Sequence, residues 1–406
     1  MKNKRKKLTP KLRFPEFRGT PSWPIEPLGR LFSERQETGF SDLPLLSVTD
    51  RDGVIPQEET NRKNNSNSDK TKYLRVVPGD IAYNTMRMWE GRSARVGLEG
   101  LVSPAYTVCQ PEGDTNSLFF AYYFKTQPLI AQFRKYSQGL VKDTLNLKYE
   151  AFSRIPVGFP GPAEQRKLAA CLMSLDEWIV AERRKLEALR TYKKGLMQQL
   201  FPREGETRPR LRFPEFRNAP AWKVTVGGKL FTNRNEDGEE GLPIYSVTVN
   251  EGMVPRASFD RDFYDIEDPA GNKKVCKGDI AYNMMRMWQG AQGVAVEDCM
   301  VSPAYVVLAP LREVCSEFFA YLFKLPQSLH TLTSHSRGLT LDRLRLYFDD
   351  FKRVPLRVPE FSEQQRIATC LSSLDALIAV QSRKLDGLRT HKRGLMQQLF
   401  PSSEGA

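Results

Sequence analysis

Glu164–Leu200 reads EQRKLAACLMSLDEWIVAERRKLEALRTYKKGLMQQL, and its periodicity decides the fold. Leu168, Leu172, Leu175, Ile179, Leu186, Leu189, Leu196 and Leu200 fall on alternating steps of three and four residues, interrupted only by Glu182 and Lys193. An apolar seam sustained this long beside charged positions is a coiled-coil pattern. At about 1.5 Å per residue it predicts a helical rod roughly 55 Å long. A lone helix with such a stripe is unstable in water and requires a partner. Glu363–Leu399, EQQRIATCLSSLDALIAVQSRKLDGLRTHKRGLMQQL, supplies one, with Ile367, Leu371, Leu374, Ile378, Leu385, Leu388, Leu395 and Leu399 on the same steps.

The second helix is one sign of a duplication that runs through nearly the whole chain, each residue matched 199 positions later without a gap, as Tyr83 is by Tyr282. KLRFPEFRGTPSW (Lys11–Trp23) returns as RLRFPEFRNAPAW (Arg210–Trp222), and LPLLSVT (Leu43–Thr49) as LPIYSVT (Leu242–Thr248). GDIAYNTMRMWEG (Gly79–Gly91) returns as GDIAYNMMRMWQG (Gly278–Gly290), VSPAY at Val102 and Val301, and GLMQQLFP at Gly195 and Gly394. A period of this length is too long for a solenoid unit, so each repeat is a domain followed by a helix. The expected layout is a basic lead-in (1–23), a first domain (24–160), a first spacer helix (161–202), a linker and lead-in (203–222), a second domain (223–359) and a second spacer helix (360–401). The fold class is therefore mixed α+β (α/β) in two tandem copies, separated by two long coiled-coil helices, whose antiparallel, pseudo-twofold arrangement is what the family resemblance of these motifs implies.

Within the domains, LPLLSV and GDIAYN read as short strands, and Val102–Val108 and Val301–Leu308 as further strands. Leu118–Lys125 has the spacing of a buried helix, with a strand as the alternative. Pro162 suits the first position of the first long helix. Ser362 before Glu363-Gln364-Gln365 has capping-box spacing for the second.

Composition narrows the class. The 406 residues hold 61 Lys+Arg against 48 Asp+Glu, a formal charge of +13 that favours a polyanionic partner, nucleic acid before a membrane surface. No run of apolar residues is long enough to span a bilayer, and the basic segment MKNKRKKLTPKLR is followed by no apolar stretch of a secretory signal. Cys109, Cys171, Cys276, Cys299, Cys315 and Cys370 form no CxxC pair, and only three histidines accompany them. That argues against zinc and fits a reducing, cytoplasmic compartment. Phosphate loops, dinucleotide turns, Asn/Asp-Pro-Pro-Tyr loops, HExxH and Ser-His-Asp patterns are missing, and His330, His335 and His391 have no counterparts in the first repeat. Gln165-Arg166-Lys167 resembles a loose nuclease pattern but lies on the coiled-coil helix. The chain reads as a binder, not a catalyst.

Three segments are candidates for binding. Tyr83, Asn84, Arg87, Trp89 and nearby Arg92 form the first, with Tyr282, Asn283, Arg286 and Trp288 in the second copy. Asn pairs bidentately with adenine and Arg with guanine at base edges, while Tyr and Trp stack or pack on sugars and methyl groups. The competing reading makes Met88 and Trp89 core residues, and makes the shared stretch scaffold. Gly139–Asp143 with Lys142, and Gly338–Arg343 with Arg343, form the second candidate, loops able to reach phosphates or bases. The third is the polar loop Asn61–Lys72 and its divergent counterpart Arg261–Lys274, where variation between repeats suits discrimination.

The KLRFPEF lead-in, GDIAYN-x-MRMW, VSPAY, the Pro-x-x-x-E-Q entry to each helix (Pro160 and Pro359) and the LMQQLFP ends resemble the specificity subunit of type I DNA restriction-modification systems, over essentially the whole chain. The resemblance implies two target recognition domains, each reading half of a split DNA site, held apart by the antiparallel helices. It implies two methyltransferase subunits docked on the helices for adenine N6 methylation, with restriction subunits joining for cleavage in defence against foreign DNA. S-adenosylmethionine and ATP then belong to the partner subunits, with no cofactor on this chain. Base-contacting residues vary with target in that family and do not carry over. Arg92-Ser93-Ala94 against Ala291-Gln292-Gly293 marks a place where the two halves differ. A stand-alone DNA-binding regulator is the alternative function, and a coiled-coil scaffold without DNA a third. A pseudo-twofold arrangement predicts inverted half-sites. Glu182 and Gln381, at matching points of the helices, are expected within about two helical turns (roughly 11 Å) as register-setting polar residues.

Overall fold

The computed structural model describes residues 8–49, 53–60, 69–259 and 271–401. Most of the basic leader, the polar loop from Asn61 to Ser68 and the greater part of its counterpart after Arg261 lie outside the described residues. The chain divides into two compact units, Met1–Arg183 with Arg383–Ala406, and Arg184–Ser382. The compact units are thus not the sequence repeats. Each takes the start of one long helix and the end of the other.

Both long helices form as the seam requires, at Pro162–Leu200 and Phe361–Leu399. Pro162 takes the first helical position. Ser362 is not a cap, because the second helix already begins at Phe361 and the Glu360 carbonyl accepts from the Glu363 and Gln364 amides. Glu363 is instead drawn into a buried ion pair with Arg212 at 2.6 Å, as Glu164 is with Arg13 at 2.6 Å. Each of these pairs ties a lead-in segment to the first turn of a long helix, where a carboxylate also suits the helix dipole.

In the first unit a four-stranded antiparallel sheet runs Phe32–Glu34, Tyr106–Pro111, Ile81–Asn84, Ser93–Arg95. The strand read from IAYN is buried on both faces. Ile81 and Tyr83 face an aromatic core with Phe32, Phe119, Phe120, Phe124 and Phe152, while Ala82 faces a smaller cluster with Leu46, Val54, Val76 and Val108. The alternation of side chains along a strand accounts for the division. Leu46–Thr49 pairs with Gly53–Pro56 and Leu74–Val76 with Gly100–Val102. The stretch expected as one strand over Val102–Val108 is two, Gly100–Val102 and Tyr106–Pro111, broken at Ser103-Pro104-Ala105, where proline has no N–H to donate. The second copy breaks likewise, into Cys299–Val301 and Tyr305–Pro310. LFFAYYFK resolves as helix, Ser117–Tyr123, with the Asn116 side chain accepting from the Phe119 amide at 2.9 Å. The second unit repeats the sheet as Phe231–Asn233, Tyr305–Pro310, Ile280–Asn283, Gln292–Val294.

The seam residues Leu168, Leu172 and Leu186 of the first helix are buried, and so are Ile367, Leu371 and Leu385 of the second. In the first unit Asp176 meets Lys392 at 2.5 Å and Glu182 meets Lys384, so later residues of one helix face earlier residues of the other, an antiparallel pairing. In the second unit Lys193, the other break in the seam, meets Asp375 at 2.6 Å. Tyr122 donates to Asp176 and Tyr321 to Asp375, both at 2.7 Å, which fastens each domain to its helices. Among the described residues no helix is long and apolar enough to cross a membrane.

Breaking one partner of a buried pair leaves a stranded charge. Arg13→Met is expected to cost about 3–5 kcal/mol, and Arg13→Met with Glu164→Leu clearly less than either single change suggests. Urea unfolding midpoints of the single and double variants check this.

Candidate nucleic-acid interface

The IAYN strand delivers its last residue, Asn84, to the surface, and the chain then turns tightly. Asn84 Oδ1 accepts from the Met86 amide at 3.0 Å, and Asn283 Oδ1 from the Met285 amide at 2.9 Å. The oxygen of each side chain therefore holds its own turn, and the amide nitrogen is the group left to point outward. A bidentate Asn–adenine pair uses both ends of the amide, so these turns favour a donor role for Asn84 and Asn283.

Tyr83 and Tyr282 are fully buried, which corrects their assignment as binding residues. They belong to the inward face of the strand. Burial pushes both phenols well above the usual range, and the Tyr282 hydroxyl donates to the Leu346 carbonyl at 3.1 Å. Met88 is core, as the competing reading held, while Trp89 and Trp288 are half-buried beside it. The Trp89 indole N–H donates to the Met86 carbonyl at 2.9 Å, so this ring braces the turn.

Arg87, exposed, and Arg92, half-buried, converge on one carboxylate, Glu90, each at 3.1 Å. The second copy has Gln289 and Ala291 in place of Glu90 and Arg92, and Arg286 makes no ion pair among the described residues. The same turn thus presents a partly neutralised cluster in one domain and a free guanidinium in the other.

The second candidate segment lies against the first. The Leu147 amide donates to the Thr85 carbonyl at 2.8 Å, and the Leu346 amide to the Met284 carbonyl at 3.0 Å. Each loop is closed at its base by paired bonds, Gln138 with Asn146 at 2.8 Å and Arg337 with Arg345 at 2.9 and 2.8 Å. Lys142 and Arg343 stand exposed on these loops without ion pairs among the described residues. Two segments more than 50 residues apart in sequence are therefore joined at their bases in each unit, the turn carrying Asn84, Arg87 and Arg92 to the loop carrying Lys142, and the turn carrying Asn283 and Arg286 to the loop carrying Arg343. Sequence spacing gave no sign of that junction, because it is made by backbone atoms. It also missed Met86 and Met285, which stand at least a third exposed at the turn.

Glu182 and Gln381 are both buried. Glu182 accepts from the Trp178 indole at 3.0 Å and pairs with Lys384, so its charge is met within its own unit. Among the described residues no group of three His, Cys, Asp or Glu side chains could hold a metal ion.

A duplicated mixed α/β domain with a cationic turn-and-loop surface on each copy defines a tandem recognition module. Residues 224–390 match the family model of the type I restriction modification DNA specificity domain. The type I restriction enzyme MjaVIII specificity subunit of Methanocaldococcus jannaschii is 22% identical over 355 residues, 81% of this chain and 82% of that protein. The fold is shared with the crystal structure of a type I restriction-modification system S subunit from M. genitalium, with a TM-score of 0.58 and 15% identity over 97% of this chain and all of that one. It is shared also with a chain from a structure on complex assembly and conformational transition of the type I R-M system, with a TM-score of 0.53 and 17% identity over 94% and 98%. The chain is thus similar over most of its length to specificity subunits of type I restriction-modification systems, with the family match itself confined to residues 224–390.

The buried hydroxyl of the second domain offers a check on the corrected assignment. Tyr282→Phe removes its bond to the Leu346 carbonyl and is expected to cost about 1–3 kcal/mol. The loss is read as a lowered denaturation midpoint.

Proposed function

We propose that this chain is the DNA sequence-recognition subunit of a type I restriction-modification complex. It is non-catalytic and reads a bipartite site with one domain per half-site. Its helices carry methyltransferase subunits for adenine N6 methylation, two by the duplication, and restriction subunits where cleavage follows. The observation that carries this reading is the paired surface. Each copy sets a cationic turn, an Asn that holds its own turn and a loop with an exposed Lys or Arg beside a sheet, which is the mixture of phosphate and base-edge groups that duplex recognition uses. The match of residues 224–390 to the family model and the charge of +13 support it. Residues 24–160 and 223–359 are the two recognition domains in this reading, with Asn84, Arg87, Arg92, Lys142, Asn283, Arg286 and Arg343 as the groups that meet DNA. The matching turns favour half-sites that share bases.

Single-molecule methylation mapping of the host genome, with and without this gene, tests the assignment. Loss of one split N6-methyladenine motif on deletion is the expected result, and an unchanged methylome refutes it. Failure of any methyltransferase to co-purify with the chain would favour a stand-alone regulator.

The asymmetry at Glu90 yields a second prediction. Glu90→Gln frees Arg87, so binding to the mapped duplex tightens, and the slope of log affinity against log salt steepens by about one per phosphate gained. Arg286→Ala weakens binding more than Arg87→Ala. Fluorescence anisotropy across a salt series measures both.

A further inference from the structure

The most exposed leucines of the described residues, Leu140 and Leu339, occupy the same place in the two repeats, and both are 100% accessible. Their neighbours Val141 and Leu341 are also exposed, at 61% and 58%. Single exposed apolar residues are ordinary on protein surfaces. These are set apart by the stalk that carries them and by their retention, with the flanking Gly and a nearby Asp, beside positions that differ, Val-Lys against Thr-Leu and Thr against Arg.

The stalk is rigid. Gly139 and Gly338 hold φ of +135° and +140°, and a Cβ on either would fall 2.5 Å from the carbonyl oxygen of Thr144 or Arg343. The Thr144 amide donates to the Val141 carbonyl and the Arg343 amide to the Thr340 carbonyl, both at 2.9 Å. Below them the buried side chains of Leu147 and Leu346 anchor each loop in its domain, next to the Asn84 or Asn283 turn. An apolar tip held this way loses little conformational entropy when it is covered. Its surroundings say what covers it. Lys142 or Arg343 stands on the same loop as one acid, Asp143 or Asp342, and the adjoining turn carries Arg87 and Arg92 around the single acid Glu90, or Arg286 with Gln289 in that acid's place. An apolar point inside a cationic rim complements a duplex, with phosphates outside and stacked bases within. Leucine side chains serve as wedges that part base steps from the minor groove.

We propose that Leu140 and Leu339 are wedges, one for each half of the recognised site, each pressed into a base step while Lys142 or Arg343 holds a flanking phosphate. This rests on the DNA-recognition reading above and adds a specificity mechanism to it. Steps that unstack easily, pyrimidine followed by purine, are favoured at the wedge even where no hydrogen bond reads them.

The test uses the chain assembled with its methyltransferase and a duplex carrying the mapped motif, with 2-aminopurine placed in turn at each step. The expected result is a rise in emission on binding at one step in each half-site. Leu140→Ala should abolish the rise in one half and Leu339→Ala in the other, each weakening binding on the order of tenfold, as loss of a buried leucine side chain implies. Leu140→Met should retain the signal, and Lys142→Ala should weaken binding while keeping it. Because both leucines are fully exposed, the alanine variants remove no packing from the free protein. Unchanged emission and affinity in both alanine variants would overturn the wedge while leaving DNA recognition standing. So would variants that lose the methyltransferase yet bind DNA alone as before, which would make the tips protein-docking points. Absence of sequence-dependent binding by the unaltered complex would instead remove the recognition reading, and the wedge with it.

Discussion

Each aromatic core in this protein has an open side, and the end of a long helix closes it. In the first unit Phe400 stacks on Tyr123 at 5.0 Å and lies 5.5 Å from Phe119, with Leu399 buried beside it. In the second, Phe201 stacks on Phe318 at 5.4 Å and meets Trp222 edge-on, with Leu200 buried beside it. Covering a leucine or phenylalanine stabilises by about 1.5–3 kcal/mol each, so the helix ends contribute to the domains as much as to the seam. The apolar stripe of a helix and the apolar floor of a sheet are both satisfied by the same residues. The buried pairs Arg13–Glu164 and Arg212–Glu363, and the Tyr122–Asp176–Lys392 and Tyr321–Asp375–Lys193 chains, fix the angle at which helix and domain meet.

The proposed recognition surface follows from where the core stops. Ile81, Ala82 and Tyr83 are enclosed from both faces, so the strand has no side free for a ligand until Asn84. From there the polypeptide spends its hydrogen-bonding groups on shape. Asn84 Oδ1 and the Trp89 indole hold the turn, and the Leu147 amide joins it to the neighbouring loop. What faces solvent is the remainder, namely guanidinium groups, an ammonium, an amide nitrogen and methyl groups. A surface assembled from residual groups on a stiff frame can change its side chains without disturbing the fold, as Glu90, Arg92 and their replacements Gln289 and Ala291 illustrate.

The long-period features were legible in the sequence because they repeat. The seam gave both helices nearly to the residue, and the duplicated IAYN gave the central strand of each sheet. Misreadings arose where one residue type serves two purposes. Tyr83 is a plausible base-stacking residue by chemistry, but its parity along the strand places it with Ile81 in the core, and that parity could have been counted in advance. Val102–Val108 carries strand-forming residues on both sides of a proline, and the break at Pro104 was the neglected signal. Ser362 has the right spacing for a cap, yet the helix begins one residue earlier, at Phe361, and the Glu360 carbonyl accepts from the Glu363 and Gln364 amides. The joining of turn and loop had no signature at all, since it depends on the amide of Leu147 and the carbonyl of Thr85.

The unequal make-up of the two units has a consequence for the order of events at the ribosome. The second unit, Arg184–Ser382, is one uninterrupted segment, while the first needs residues from Arg383 onward. The first domain to be synthesised is therefore the last that can be completed. Until Leu395, Met396, Leu399 and Phe400 emerge, Phe119 and Tyr123 lack their cover. The nascent chain carries that apolar face through the synthesis of the whole second repeat, an interval in which chaperones or a neighbouring copy's helix can occupy it.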